Sequence, residues 1–293
     1  MNDIVTRYDK NPILTAEDVP YAVVTVHNAG AVKHEGRYIL LFRSHRRNGR
    51  SIIGFAESDD GCDFRVRPEP FMLPATEGVF AEYEEYGVED CRITPIEGTY
   101  LLTYSAYSRH GVRIALARTS DFERVERIAL ISQTDMRNAV IFPERIGGRY
   151  VRLDRPHSHI APWSIWISYS PDLVHWGDSR LVTKPATYHW DEQKVGPGAP
   201  PIKTDAGWLS IYHGVFPTMS GGIYRLGVAL HDLADPAKVL AVADDWIVQP
   251  ADPWEVTGYV SNVVFTCGAI PEDDGTVKIY WGGADNVMCL GTA

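Results

Sequence analysis

Short apolar segments rich in β-branched and aromatic residues recur along the whole chain. Clear examples are residues 37–42, 100–104, 163–169 and 208–212. Few windows keep apolar residues at i, i+3, i+4 and i+7 over three turns, which a surface helix would require. Turn-forming residues separate the segments, and the chain contains 25 Gly and 19 Pro. The pattern predicts an all-β protein built from many short strands.

The predicted strands form a repeating unit. A glycine turn that leads into an apolar strand occurs five times, at Gly36, Gly98, Gly148, Gly207 and Gly275. About twenty residues after each of the first four glycines, another strand ends in an acidic turn. These turns contain Asp60, Asp121, Asp172 and Asp232, which we interpret as structural. Four short antiparallel strands per unit are typical of a propeller blade, so the sequence predicts a five-bladed β-propeller.

The fifth unit is shorter than the others, because only about ten residues follow Gly283. Propellers commonly close when the N-terminal segment supplies the missing strand of the last blade. We therefore expect residues 1–293 to form a single domain in which residues 8–15 complete the fifth blade.

Charge and composition narrow the class of function. The chain of 293 residues has 28 Lys and Arg against 38 Asp and Glu, which gives a net charge of −10. Such a surface disfavours nucleic acids and anionic membranes as partners, since both require a basic face. No apolar run reaches membrane-spanning length, and residues 1–21 lack the apolar centre of a signal peptide. We expect a cytoplasmic protein whose four cysteines are reduced thiols.

Polar residues gather where the innermost predicted strands open onto one end of the propeller. Glu89 and Asp90 enter the second unit, and four basic residues come from the third and fourth units. The basic residues are Arg137, Arg155, Lys194 and His213. Converging cations in an acidic protein indicate an anion site, and no P-loop or Rossmann fingerprint supplies a nucleotide alternative.

One acid opposite an anion site favours a particular reaction class. Inverting glycosidases pair a general acid with a base that activates water. Inorganic phosphate is already an anionic nucleophile, so cations that hold it can replace the base. The residues therefore favour an inverting glycoside phosphorylase.

Six motifs together resemble glycoside hydrolase family 130, the β-mannoside phosphorylases and related β-mannosidases. The motifs are residues 28–31, 88–92, 137–143, 152–155, 194–203 and 207–214. The resemblance extends over about residues 8–290 and implies a five-bladed propeller. The sequence departs from the family pattern at Cys91, because the family usually has Pro directly after the catalytic Asp.

The resemblance also implies roles for individual residues. Asp90 would be the proton donor, acting through a sugar hydroxyl that relays the proton. The basic residues Arg137, Arg155, Lys194 and His213 would bind phosphate. The candidate sugar-binding residues are Asn28, Arg43, Glu89 and Asp285. The expected substrates are inorganic phosphate and a manno-oligosaccharide or mannosyl-glucose, with α-mannose 1-phosphate as product and no cofactor or metal. A homo-oligomer is compatible with the sequence.

Other interpretations of the same residues stay open. A hydrolase on this scaffold would need a base such as Glu144, Asp154 or Glu255, and a non-catalytic carbohydrate-binding propeller would need none. Arg137 and Arg155 could instead be structural ion-pair partners of Glu144 and Asp154. Lys194 could be a solvated surface charge, and His213 could be a core residue. Residues 43–50 hold four arginines and are expected to form a solvated loop, while Trp163, Trp190 and Trp254 are candidate platforms for sugars.

Overall fold

The computed structural model describes residues 4–293 and confirms an all-β fold. The strands are β1 (Thr6–Arg7), β2 (His27–His34), β3 (Arg37–His45), β4 (Ser51–Ser58), β5 (Arg65–Val66), β6 (Gly87–Ile96), β7 (Thr99–Ser108), β8 (Gly111–Thr119), β9 (Glu126–Leu130), β10 (Met136–Ile141), β11 (Tyr150–Pro156), β12 (Ile165–Ser170), β13 (Gly177–Thr183), β14 (Lys194–Pro197), β15 (Ile202–Thr204), β16 (Gly207–Thr218), β17 (Gly221–His231), β18 (Val239–Val242), β19 (Val264–Pro271), β20 (Val277–Gly283) and β21 (Val287–Thr292). The helices α1 (Gly78–Tyr83) and α2 (Pro253–Val256) and a 3₁₀ turn (Ala16–Asp18) are short. Over residues 4–293, no helix has the length and apolar character needed to cross a membrane.

The strands fall into five groups that follow each other along the chain. Strands β10 to β13 form one antiparallel sheet, β14 to β18 form a second, and β19 to β21 form a third together with β1. Strands β2 to β9 share one sheet, but its halves β2–β5 and β6–β9 meet only at the parallel pair of Ser51 and Gly87. Each of the five groups contains one of the glycine turns predicted as a repeat.

The glycine turns have a clear conformational reason. Gly36 and Gly98 have φ values of 80° and 77°, and the residues before them, Glu35 and Glu97, also have positive φ values of 49° and 51°. Two consecutive residues with positive φ are typical of the type I′ turn, which joins two antiparallel strands through a two-residue loop. Glycine adopts this conformation without steric cost, so it marks the first hairpin of these units.

The acidic turns are structural, as predicted. Each of the four side chains accepts two backbone N–H groups two and three residues further along the chain, at 2.8–3.1 Å. The four are Asp60, Asp121, Asp172 and Asp232. These hydrogen bonds lower the pKa of Asp60 to about 2, because they favour its ionised form. The repeated aspartates hold the turn at the end of each third strand.

The N-terminal segment lies along the last strand. Thr6 and Arg7 pair with Thr292 and Gly291 of β21, and Leu14 forms a further bridge with Met288. Pairing therefore begins two residues before the segment that the sequence suggested, residues 8–15. The chain ends are thereby held in one sheet.

A buried ion pair fixes this N-terminal strand. Glu255 has a fully buried side chain and accepts hydrogen bonds from Arg7 Nη2 at 2.9 Å and from Trp281 Nε1 at 2.8 Å. The backbone N–H of Ala251 donates to the same carboxylate at 2.9 Å. A buried carboxylate needs its cation, since the charge is costly without a partner.

We expect Arg7→Ala to lower the free energy of unfolding by about 2–3 kcal/mol, because Glu255 would keep its buried charge and lose its cation. Arg37→Ala is the matched control. Arg37 pairs with Glu57 at 3.0 Å on the exposed surface, and such pairs contribute about 1 kcal/mol or less. Urea unfolding of the two variants measures the difference. Equal losses would show that the N-terminal strand is not fixed by Glu255.

Candidate active site

Three equivalent β-bulges, in β2, β6 and β10, position polar side chains at one end of these strands. In β2, β6 and β10 the pairing with the next strand shifts by one residue at the same place in the unit. The bulges contain Asn28, Asp90 and Asn138, whose φ values are 51°, 52° and 60°. Asn and Asp tolerate this left-handed conformation better than other residues with side chains. The same local irregularity thus turns one short polar side chain from each unit toward a common space.

That space is a cavity of about 260 Å³. Eight of the nine predicted site residues line it: Asn28, Arg43, Asp90, Arg137, Arg155, Lys194, His213 and Asp285. The ninth, Glu89, does not line the cavity but bonds to Arg43 from behind it. The remaining lining residues are Asn138, His157, Trp163, Tyr224, Val260, Val263 and Phe265.

Asp90 lies at the acidic side of the cavity and is 6% exposed. Its Oδ1 accepts hydrogen bonds from Asn28 Nδ2 at 3.0 Å and from Arg43 Nη1 at 3.2 Å. Burial opposes ionisation, but the charges of Arg43 and Arg92 and the Asn28 hydrogen bond outweigh it, so the pKa of Asp90 is below its usual value. Asp90 is therefore a carboxylate in this arrangement.

Arg43 connects the acidic residues and corrects one expectation. Its Nη2 donates to Glu89 Oε1 at 2.7 Å, and its Nε donates to Ser51 Oγ at 3.2 Å. The solvated arginine loop predicted for residues 43–50 is therefore wrong at residues 43–45, which are the last residues of β3, and Arg43 lines the cavity. The expectation of a solvated loop holds at residues 46–50, which are exposed.

A second acid, Asp285, titrates differently from Asp90. Burial raises the pKa of Asp285 to about 6; the charge of Arg43 opposes this rise, and the charges of Asp90 and Glu89 add to it. One cavity thus holds an ionised carboxylate and a carboxyl group that takes up a proton slightly below neutral pH. Environments that separate two acids in this way are typical of sites where one group must be charged and another can be neutral.

The basic side of the cavity carries charge that nearby acids balance only in part. Arg137 and Arg155 are directly opposite each other in the β10–β11 ladder, a placement that is destabilising for like charges. The sequence alternative of ion pairs with Glu144 and Asp154 is wrong: Glu144 pairs with Lys203 and Asp154 with Arg152, both at 2.7 Å. The carboxylate that approaches Arg137 is that of Glu89, at 3.8 Å.

Lys194 is not the solvated surface charge considered from the sequence, because it lines the cavity. Burial and the nearby charges of Arg155 and Arg137 lower its pKa to about 8. Burial likewise lowers the pKa of Arg155 to about 10. Cations that depress each other's pKa are stabilised when an anion binds between them. The basic side of the cavity is therefore suited to an anion.

His213 is buried against the basic cluster. Its Nε2 lies 3.2 Å from Arg155 Nη1, and a guanidinium can only donate, so Nε2 accepts this hydrogen bond. The ring packs over Gly196, where a Cβ atom would lie 2.6 Å from His213 Cε1. The glycine is thus required for the ring position. His213 is neutral here, since burial and the charge of Arg155 hold its pKa well below the usual value.

Aromatic rings frame the cations. Lys194 Nζ lies 5.3 Å from the Trp163 ring centre and 4.9 Å from that of Tyr224, distances that allow cation–π attraction. Of the three tryptophans considered as sugar platforms, only Trp163 lines the cavity. Trp190 packs in the core and is 6% exposed, and Trp254 packs against another core cluster.

Several lining residues carried no clear signal in the sequence. Tyr224 lies on β17, the outward neighbour of the strand that carries His213, so a search restricted to the ends of inner strands misses it. His157 follows β11 in a loop and packs edge-on to Trp163, with 3.9 Å between the two ring centres. Asn138 lies in the motif of residues 137–143. Only its β-bulge, which repeats those of Asn28 and Asp90, identifies it as a site residue.

The three residues considered as the base of a hydrolase lie outside the cavity. Neither Glu144, Asp154 nor Glu255 lines the cavity, and each is bound to a cation, namely Lys203, Arg152 and Arg7. Among residues 4–293, no group of three or more His, Cys, Asp or Glu side chains is arranged to hold a metal ion. The site therefore combines a buried acid with a cluster of cations.

A carboxyl group beside an anion site on an all-β scaffold is an arrangement suited to phosphate-dependent acid catalysis. Comparison with protein families places the chain in a definite group. The model of glycoside hydrolase family 130, described as beta-1,4-mannooligosaccharide phosphorylase, matches residues 2–293. The chain belongs to this family. Cys91, where Pro is usual, is fully buried in the bulge of β6.

Characterised relatives match over nearly their whole length. A beta-1,2-mannobiose phosphorylase of Listeria innocua is 42% identical, with 97% of this chain and 94% of the relative covered. A 1,2-beta-oligomannan phosphorylase of Thermoanaerobacter sp. is 36% identical, covering 96% and 93%. A solved structure of the Listeria innocua beta-1,2-mannobiose phosphorylase, in complex with beta-1,2-mannobiose, superposes with a TM-score of 0.90. It is 33% identical in sequence, and the match covers 100% of this chain and 97% of that chain.

Anion binding should weaken above about pH 8, because Lys194 loses its charge there. The lowered pKa means that the ammonium form predominates below pH 8 and is lost above it. Sulfate is a suitable probe, since its charge is constant over this range. In calorimetric titrations we expect the dissociation constant to rise by up to about tenfold per pH unit above the pKa.

Lys194→Arg is the matched variant, since a guanidinium stays charged throughout the range. It should bind sulfate without the decline between about pH 8 and pH 9, a range that stays below the lowered pKa of Arg155. A wild-type affinity that stays level over this range would show that Lys194 takes no part in the anion site.

Proposed function

We propose that this protein is an inverting β-mannoside phosphorylase. It cleaves a terminal β-mannoside with inorganic phosphate and releases α-mannose 1-phosphate and a shortened acceptor. The observation that carries the proposal is the position of Asp90 in the same cavity as Arg137, Arg155, Lys194 and His213. An acid and a phosphate site facing one sugar are what this reaction needs.

The cations bind phosphate and hold it against the anomeric carbon. The two arginines supply planar forks that match phosphate oxygens, and Lys194 supplies a point charge. His213 Nε2 accepts from Arg155, so it supports the cluster through that arginine in this arrangement. Attack by phosphate from the face opposite the leaving group inverts the anomeric centre.

Asp90 gives its proton to the leaving oxygen, through a sugar hydroxyl as the family resemblance implies. The contacts with Asn28 and Arg43 favour the carboxylate that this step produces. Bound phosphate adds negative charge nearby and offsets the cations, which raises the pKa of Asp90 toward the protonated form that the reaction requires. Asn28, Arg43 and Asp285 form the sugar side of the site, and Glu89 supports it through Arg43.

The hydrolase alternative has less support because all three of its candidate bases lie outside the cavity and are paired with cations. The binding-only alternative leaves the buried acid and the only partly balanced cations without a purpose. Both alternatives share the scaffold with the proposed enzyme. The dependence of turnover on phosphate separates them.

The relatives favour a β-1,2 linkage. Those that act on β-1,2-mannosides are up to 42% identical to this chain, whereas a beta-1,4-mannooligosaccharide phosphorylase of Ruminococcus albus is 31% identical. We therefore propose a β-1,2-mannobiose or a short β-1,2-oligomannan as substrate. A synthesis screen with α-mannose 1-phosphate and a panel of acceptors identifies the linkage directly.

We also propose that the five strand groups are the blades of one propeller, with residues 6–14 completing the fifth blade. The support is the fivefold repeat of the hairpin turns, the bulges that converge on one cavity, and the β1–β21 pairing. A cytoplasmic location fits this chemistry, because phosphate and sugar phosphates are retained there. The reaction requires phosphate as co-substrate and no further cofactor.

Turnover of β-1,2-mannobiose should require inorganic phosphate and give the inverted sugar phosphate. Phosphate at the cation cluster supplies the nucleophile, and the candidate bases Glu144, Asp154 and Glu255 lie outside the cavity. Proton NMR of the early product distinguishes α-mannose 1-phosphate from free mannose. Release of free mannose at full rate in phosphate-free buffer would assign the protein to the hydrolases, and no product under any condition would support a binding function.

Asp90→Asn should preserve the fold and reduce kcat by about 10²–10⁴-fold. Asparagine occupies the equivalent left-handed bulge position at Asn28 and Asn138, so the backbone accepts the change, but an amide has no proton to donate. Circular dichroism and thermal unfolding check the fold. A folded variant that retains more than a tenth of the wild-type rate would remove Asp90 from the donor role.

A further inference from the structure

Arg92 is a buried cation whose partners are all uncharged. It follows Asp90 by two residues on β6 and is 1% exposed. It does not line the cavity, and its hydrogen bonds go to three backbone carbonyls and one amide oxygen. The carboxylate of Asp90 is close enough to feel this charge but does not hydrogen-bond to it. Burying a charge is costly, so such a residue needs a reason beyond packing.

The first of these contacts holds the backbone of the donor residue. Arg92 Nη1 donates to the carbonyl oxygen of Asp90 at 2.7 Å. Asp90 has a left-handed backbone, with φ at 52°, and this conformation aims its carboxyl group into the cavity. A fixed carbonyl fixes the peptide plane, and therefore the direction of that side chain.

The other contacts reach the strand that carries part of the anion site. Arg92 Nε donates to Gly198 O at 3.2 Å, and Nη2 makes a longer contact with Pro197 O at 3.4 Å. Pro197 ends β14, which begins at Lys194. The same guanidinium therefore touches the donor bulge on β6 and the end of the strand that presents Lys194.

We propose that Arg92 is a positioning residue that fixes the donor carboxyl of Asp90 and the anion-binding strand β14 relative to each other. The inference rests on the proposed phosphorolysis. A guanidinium suits this role because its planar fork donates in several fixed directions, which a lysine ammonium cannot reproduce. Its plane is further restrained by Phe265, a cavity residue whose ring centre is 5.6 Å from the Arg92 Cζ.

Arg152 provides a matched control in the same fold. It is also buried, at 3% exposed, but it pairs with Asp154 at 2.7 Å and donates to Ile131 O at 2.8 Å. It does not line the cavity or contact a residue that does. Arg152→Lys therefore measures what a buried Arg-to-Lys change costs in stability alone.

The experiment compares Arg92→Lys with Arg152→Lys in phosphorolysis of β-1,2-mannobiose, well below both unfolding midpoints. We expect Arg92→Lys to lower kcat at saturating phosphate by at least about tenfold, because small misplacements of a catalytic group have large effects. The KM for phosphate should rise by about three- to tenfold, since β14 loses the same support. Arg152→Lys should lower the unfolding midpoint and leave both kinetic constants within about twofold of wild type.

Arg92→Lys kinetics within about twofold of wild type would overturn the inference, as would equal kinetic losses in the two variants. If Arg92→Lys does not fold, Arg92→Met, which removes the buried charge, replaces it in the same assay. Failure of both variants to fold would assign Arg92 to stability and also overturn the inference. Wild-type protein that shows no phosphorolysis would instead refute the proposed function, so the two failures are distinguishable.

Discussion

The repulsion among the buried and half-buried cations is the constraint on which the rest of the site depends. Arg137 and Arg155 face each other across one ladder, and the charges of Lys194 on β14 and Arg92 on β6 lie close to Arg155. Side chains in such a cluster would move apart if they were flexible. They are held instead by strand pairing and by rings such as those of Trp163 and Tyr224. The scaffold thus holds the positive charges close together, and a bound anion offsets their mutual repulsion.

The same scaffold sets the position of the acid. A single bulge, repeated in β2, β6 and β10, turns Asn28, Asp90 and Asn138 into the cavity, and the chemistry differs only by which side chain occupies it. An amide at two of these positions gives hydrogen bonding, and a carboxyl at the third gives an acid. The three bulge positions thus share one backbone geometry and differ in whether they present an amide or a carboxyl group.

The fold class and most of the site could be predicted because both follow from repetition. Glycine turns and acidic turns recur in each unit for local steric and hydrogen-bonding reasons, so counting them locates the inner strands and their polar ends. Arg43 was harder to place, because an arginine-rich segment is normally solvated. Arg43 differs from Arg46 because it is still part of β3, where side chains alternate between the two faces of the sheet. Tyr224 and Arg92 could not be assigned, since their roles depend on contacts between units that are far apart in sequence.

The charge arrangement also explains why one scaffold can serve phosphorolysis and resist hydrolysis. Water needs a base to become a nucleophile, and a carboxylate placed among these cations would pair with them and lose its basicity, because nearby positive charge lowers its pKa. Phosphate needs no base and gains most where the positive charge is least compensated. Conversion to a hydrolase would therefore require removal of the cations as well as addition of an acid residue. A cavity lined by several cations therefore favours an anionic nucleophile over water.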